Sequence, residues 1–385
     1  MAAVAFPSFA QLQGDGYYRV QSAKQGRYIR VIDNRGSVNV STTSADMAAL
    51  QTVLGFDRVV SDPGSVIYVK KLSSGYDLQS QGTGSYAITS YALKVTDIGD
   101  GCYWASASKA GMTLYLEDEP ITAITSAAKR QTGSLMTTSN SKDLNDGWVD
   151  WYVKPVSANS DCYFGITPDV TAGGSYYKSF YAAFPFTFSS QGMNAYTVTM
   201  IDTKKAAVVV NELTSGVPTS VPVIVKCSSD QVANNKINVG ASASSAVAGN
   251  LLKGVYFCND VSNTAHRNVV DYNPSTMRVL GTAADGSLAF VKSSTLKYIP
   301  SNSAYITVSA DAPDVLKVYT KAEYDALPSA APGDLNEDGF IDVQDLGVVV
   351  QMIVGSLPKT AAADLNGDGE VDIQDLGIIV KLIVK

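Results

Sequence analysis

The chain has 385 residues, is 45% hydrophobic and 17% charged, and carries a formal net charge of −7 with one histidine. That length predicts two or three domains, and the low charge favours β-rich modules over helical ones. All of the net charge lies in residues 331–385, with ten acids against three bases, while the rest balances 26 against 26. No basic surplus therefore argues for nucleic acid, and no apolar run of 18 residues predicts a transmembrane helix.

Residues 1–13, MAAVAFPSFAQLQ, are short, apolar and uncharged, with small residues Ser8 and Ala10 where a signal peptidase reads. They are read as a secretory-signal remnant or as a plain N-terminal arm, and the former predicts a secreted or cell-surface protein. Residues 14–157 alternate apolar and polar with period two in short runs split by turn residues. These runs are GYYRVQS, QGRYIRVID, GSVNVST, SVIYVKKL, GYDLQSQG, ALKVTDIG, CYWASAS, MTLYLEDE and DWYVKPVS. The unit Tyr-x-Val, Gly, Tyr-x-x-Val begins near Tyr18, Tyr76 and Tyr103. It resembles the repeat of ricin-type β-trefoils, with Trp151 near the place of that family's Gln-x-Trp signature.

Residues 158–326 form a second β block, opening with YFGITPD and SYYKSFYAAFPFTF and running through NAYTVTMID, AAVVVNEL, VPVIVKC, KGVYFCN, MRVLG, SLAFVK and SAYITVS. Short strands between Gly, Asn, Ser and Asp turns predict a β-sandwich. The closing pattern DGSLAFV…YIPSNSAYITV resembles an extracellular β module common in secreted Bacteroidetes proteins. The segment SADAPDVLKVYTKAEYDALPSAAPG is read as leading out of this block, with a linker at 327–332. Four cysteines, Cys102, Cys162, Cys227 and Cys258, show no CxxC spacing, so no zinc site is predicted. Cys227 and Cys258 lie in strand-like runs, and both a pair and two buried thiols stay open.

Residues 333–385 contain DLNEDGFIDVQD from Asp334 and DLNGDGEVDIQD from Asp364, and the two copies share 13 of 22 aligned positions. Oxygen-bearing residues fall at loop positions 1, 3, 5, 9 and 12, with glycine at position 6, the spacing of an EF-hand-type calcium loop. The predicted ligands are Asp334, Asn336, Asp338, Phe340, Asp342 and Asp345, then Asp364, Asn366, Asp368, Glu370, Asp372 and Asp375. Position 7 offers its backbone carbonyl. Two carboxylates roughly 4 Å apart repel by about 1 kcal/mol in water and about 4 near a protein surface, so four in one loop oppose folding without a cation. Two Ca²⁺ are therefore expected, and their binding energy becomes folding energy. Leu346, Val349, Val350 and Ile353, then Leu376, Ile379, Val380 and Ile383, predict a helix with one apolar stripe after each loop.

A loop followed by one helix, twice, resembles the dockerin module of cellulosomes. The resemblance covers 333–385 and implies a cohesin-domain partner. It places recognition at positions 10, 11, 17 and 18: Val343, Gln344, Val350 and Gln351, with Ile373, Gln374, Val380 and Lys381. The small hydroxyl pair and the basic pair of many clostridial type I members are absent there, which points to a different cohesin preference. A calcium-stabilised cap docking on its own β domain is the alternative.

No HExxH, GxSxG, GxGxxG or Walker loop occurs, and His266 is expected to be a plain loop residue. Glu117, Asp118 and Glu119, and Asp143, Asp146 and Asp150, are acid clusters of the kind glycosidases use, and are read here as solvated turns. Trp148 and Trp151 beside them are candidates for sugar stacking, with a core tryptophan as the alternative. The expected architecture is mainly β: a trefoil-like domain, a sandwich and a small helical dockerin. The expected role is a non-catalytic component binding a glycan, cell-surface or protein ligand. A polysaccharide-degrading enzyme and a structural surface protein with a self-capping tail are the alternatives.

Overall fold

The computed structural model describes residues 12, 14–31, 50–53, 55–73, 75–79, 94–109, 112–118, 136–138, 144–241, 247–255, 270–327, 332–337 and 339–384. The expected strand GSVNVST, most of the N-terminal arm, Glu119, Asp143, Cys258, His266 and Asp338 lie outside these residues.

Among the described residues the first β unit has ten strands: β1 (Gly16–Ser22), β2 (Tyr28–Val31), β3 (Leu50–Val53), β4 (Ile67–Lys71), β5 (Tyr76–Gln79), β6 (Lys94–Gly99), β7 (Cys102–Lys109), β8 (Met112–Glu117), β9 (Met136–Thr138) and β10 (Asp150–Pro155). Six of them close a ring of antiparallel pairs, β1–β4–β5–β6–β7–β10 and back to β1. Closure leaves those strands no open edge to pair with another chain. The hairpin β2–β3 extends from β1, and β8–β9 extends from β7. Period-two alternation sends one face of each ring strand inward. Tyr18 and Val20, Ile67 and Val69, Tyr103 and Ala105, and Trp151 and Val153 are buried together there.

Among the described residues the second β unit has thirteen strands. They are β11 (Phe164–Gly165), β12 (Val170–Ala172), β13 (Ser175–Phe180), β14 (Phe186–Phe188), β15 (Asn194–Asp202), β16 (Ala207–Glu212), β17 (Val223–Cys227), β18 (Lys236–Val239), β19 (Lys253–Val255), β20 (Met277–Thr282), β21 (Leu288–Val291), β22 (Ser303–Thr307) and β23 (Val315–Thr320). Ten form one sheet in the order β12-β13-β17-β15-β16-β23-β21-β20-β22-β19. This sheet rolls over until its ends meet: Gly173 N–H donates to Gly286 O (2.8 Å), Thr282 Oγ1–H to Thr171 O (2.9 Å) and Tyr181 N–H to Asn302 O (3.0 Å). Val198, Val208, Ile224, Phe290, Ile306 and Leu316 fill the space enclosed. The remaining strands make a small sheet, β11-β18-β14, which stacks Phe164, Phe186 and Ile237 on Phe180, Ala195 and Val223.

The run SYYKSFYAAFPFTF, expected as one extended stretch, is divided between the two sheets, with β13 in the large one and β14 in the small one. Its middle alternates between cores. Tyr181 and Ala183 pack with the strand ring, while Ala182 and Phe184 pack in the second unit. Val66 and Val156 reciprocate by joining the second core. Arg19 is locked at this junction with no exposed surface. Its guanidinium donates to Ser65 Oγ (3.0 Å), Tyr163 O (2.7 Å), Val59 O (3.1 Å) and Val60 O (3.2 Å), and lies against the rings of Phe56 and Phe164.

The segment after Ser309, read from sequence as an exit from the β block, is instead part of its centre. β23 lies in mid-sheet, parallel to β16, with Leu316 fully buried. Parallel pairing joins residues about a hundred positions apart and leaves no local signature. A short helix follows, α2 (Lys321–Asp325) after α1 (Phe56–Val59). Thr320 caps α2 in a reciprocal box with Glu323, and Tyr324 Oη–H donates to Asp202 (2.6 Å), holding the helix on the sheet.

Candidate functional site

The tail folds as two loop–helix units carrying α3 (Val343–Ile353) and α4 (Ile373–Ile383), which pack on each other. The loops close by the same hydrogen bonds. Position 12 is buried in each: Asp345 Oδ1 accepts from Leu335 N (2.7 Å) and Oδ2 from Asp342 N (2.9 Å), and Asp375 accepts from Leu365 N (2.7 Å) and Asp372 N (2.9 Å). Asp342 and Asp372 cap the helices in reciprocal boxes with these same carboxylates. The position-12 aspartates thus tie loop start to helix start, and their charge lies at the helix N-terminus, where the dipole favours it. Burial pushes the Asp375 carboxyl up, but the N–H groups of Asp372, Leu365 and Asn366 outweigh it and hold the group below its ordinary value.

Position 1 works likewise, with Asp334 accepting from Gly339 N (2.9 Å) and Asp364 from Gly369 N (2.8 Å). Both glycines have positive φ, +90° and +87°, which explains glycine at position 6. Asp364 also accepts from Gly367 and Asp368, and Asp368 from Glu370 N. Phe340 at position 7 is exposed, and Glu370 at the same position receives a hydrogen bond from Lys359 Nζ (3.2 Å). Asp338 lies outside the described residues. Among those residues, no three acidic side chains converge as a metal cluster; the carboxylates engage the loops' own amides. The donor set, all hard oxygen on a tightly turned loop with buried carboxylates, fits Ca²⁺. Such an ion neutralises the repelling carboxylates when bound.

The positions expected to carry recognition are all on the surface. Val343 and Ile373 are 70% and 69% exposed, Val350 and Val380 42% and 43%, and Gln344, Gln351, Gln374 and Lys381 are exposed as well. Val350 and Val380 therefore leave the single apolar stripe expected of each helix. The inward face is carried instead by Asp345, Val349 and Met352, and by Asp375 and Ile379. A second apolar row, missed in the sequence, runs Val343, Val350, Val354 and Ile373, Val380, Val384, with Val354 67% and Val384 78% exposed. Its spacing of seven and four residues was a readable signal, since it follows one face of a helix.

The other candidates separate. Trp151 is not a sugar platform: it is fully buried in the ring, and its Nε1–H donates to Leu116 O (3.1 Å). Trp148 is half-buried with the Lys24 ammonium over its ring at 3.8 Å. Asp118 is buried in an ion pair with Nε and one terminal nitrogen of Arg27, and burial pushes its carboxyl above its ordinary value, offset only in part by that guanidinium. Asp150 accepts from Trp104 Nε1 (2.9 Å), and Asp146 is exposed. Cys227 is a buried free thiol.

No helix among the described residues is long and apolar enough to cross a membrane. No curated protein matches the chain. A protein-family comparison matches residues 332–383 to the dockerin type I domain, and the C-terminal part of this chain is a dockerin.

Proposed function

We propose that this protein is a secreted, non-catalytic binding component, fastened by its dockerin and two Ca²⁺ to a cohesin-bearing partner. One ion is assigned to each loop, held by Asp334, Asn336, Asp338, the Phe340 carbonyl, Asp342 and Asp345, and by the corresponding residues from Asp364 to Asp375. The closed six-strand ring with its attached hairpins supports a β-trefoil for residues 14–157. The rolled sheet with its small second layer supports a sandwich for 158–326. Glycan or protein is the ligand class assigned to these β units.

The observation that carries the docking role is the twinned apolar row on α3 and α4. It would be an aggregation hazard if it had no partner. Each row also has a glycine in mid-helix, Gly347 and Gly377, where a methyl group would meet nothing within 4 Å. Glycine there weakens a helix by about 0.5–1 kcal/mol relative to alanine, and nothing among the described residues requires it. A flat surface for an outside partner does.

The test is capture of the full chain by a panel of immobilised cohesins in calcium. The double variant Val343→Asp/Ile373→Asp is expected to lose capture while unfolding as the parent does, and chelator is expected to abolish capture of the parent. Capture that survived the double variant would place docking elsewhere.

A further inference from the structure

The mouth of the rolled sheet holds a pocket of about 360 Å³, built from β13, β15, β17, β23 and α2. That volume lies in the range of small-ligand sites, roughly 300–1,000 Å³, and barrel mouths are a common place for them. Tyr177 and Lys226 face each other across the β13–β17 pair, and Tyr196 stands on the neighbouring strand. Tyr319 and Glu323 line the far side. Beneath lies an apolar floor that includes Val210 and Ile224.

The polar groups are what set this pocket apart. Among the described residues, the phenols of Tyr177 and Tyr196 and the ammonium of Lys226 have no hydrogen-bond partner. Glu323 gives one carboxylate oxygen, Oε2, to the N–H and hydroxyl of Thr320 (2.7 and 2.8 Å). Three donors without hydrogen-bond partners among the described residues thus line one concave, half-apolar site.

We propose that this pocket binds a short saccharide. A sugar ring has a C–H face that stacks on tyrosine and a hydroxyl rim that pairs with phenols, an ammonium and a carboxylate. A purely apolar ligand would strand those polar groups at about 1–3 kcal/mol each. A phosphate ester is disfavoured by the single cation and by a carboxylate on the same wall. The proposal deepens the binding role given above and rests on it, and it moves the sugar site from the tryptophans to the second β unit.

The test uses the full chain in calcium with cellotriose, xylotriose and digalacturonate as probes, read by saturation-transfer NMR and titration calorimetry. At least one probe is expected to bind, and Lys226→Met and Tyr196→Phe are each expected to weaken it about tenfold, the loss of roughly one charged or well-placed hydrogen bond. Tyr196→Phe keeps the ring and Lys226 is half-buried, so both variants are expected to fold. No binding of any of the three, or binding indifferent to both variants, would overturn the assignment. Cohesin capture by the same variants is expected to be unchanged. Its loss would instead count against the docking assignment, so the two failures are separable.

Discussion

Gly347 and Gly377 give the sharpest test of the docking face. Both lie inside helices of eleven residues, and neither has a positive φ. A methyl group at either site would touch nothing within 4 Å, so the substitution carries no steric penalty. The remaining effect is backbone entropy: Gly→Ala at a compatible helical position stabilises by about 0.4–1 kcal/mol. The double variant Gly347→Ala/Gly377→Ala is therefore expected to stabilise the dockerin by about 1–2 kcal/mol if the two effects add. The same methyls rise from the middle of the apolar row, between Val343 and Val350 and between Ile373 and Val380, where the proposed docking face requires close approach. Cohesin capture is expected to weaken as stability rises. Calorimetry in calcium reads the first effect and cohesin titration the second. Destabilisation, or stabilisation with capture untouched, would refute the inference that these glycines serve an outside partner.

Arg19→Met removes the guanidinium from the β junction, where Val59 O keeps Asp62 N–H and Ser65 Oγ–H and Val60 O keeps Gly165 N–H, but the part-buried Tyr163 O loses its donor at 2.7 Å. Leaving the Tyr163 carbonyl unpaired at about 1–3 kcal/mol, partly offset by no longer burying a charge, predicts a net loss of about 1–2 kcal/mol. Urea unfolding should show that loss, and Arg19→Lys should not rescue it because an ammonium lacks the fork; full rescue by lysine would refute the geometry. Burial pushes the Cys227 thiol up to about 12 from an ordinary 9.0. The folded state then keeps a proton that the unfolded chain releases, so this contribution is intact below pH 9 and stability declines from there toward pH 12, by about 1.4 kcal/mol per pH unit. Cys227→Ala should flatten that alkaline decline. In the native protein at mildly alkaline pH, iodoacetamide should leave Cys227 unmodified, and rapid alkylation would refute its burial.

Much of this protein was legible locally. Period-two runs such as GYYRVQS and DWYVKPVS are β1 and β10 because alternation needs only a neighbouring half-buried surface. The duplicated loops were legible for a stronger reason: ligand spacing, the position-6 glycine and the helix caps all lie within twelve consecutive residues, so chemistry and sequence distance coincide. Long-range pairing decided the rest. Nothing in VLKVYT announces a parallel partner in β16, and nothing around Trp151 distinguishes a sugar platform from the filling of a closed ring. Val350 and Val380 fit an apolar stripe equally well facing in or out until the two helices pack and bury Val349 and Ile379 instead. Tyr177, Tyr196, Lys226 and Glu323 come from four separate segments and meet only where the sheet rolls up. Sequence therefore determined the elements and the metal-ligand spacing, which depend on backbone propensity and short contour distance. Tertiary structure alone decided which faces are covered, because burial is a property of what the rest of the chain brings alongside.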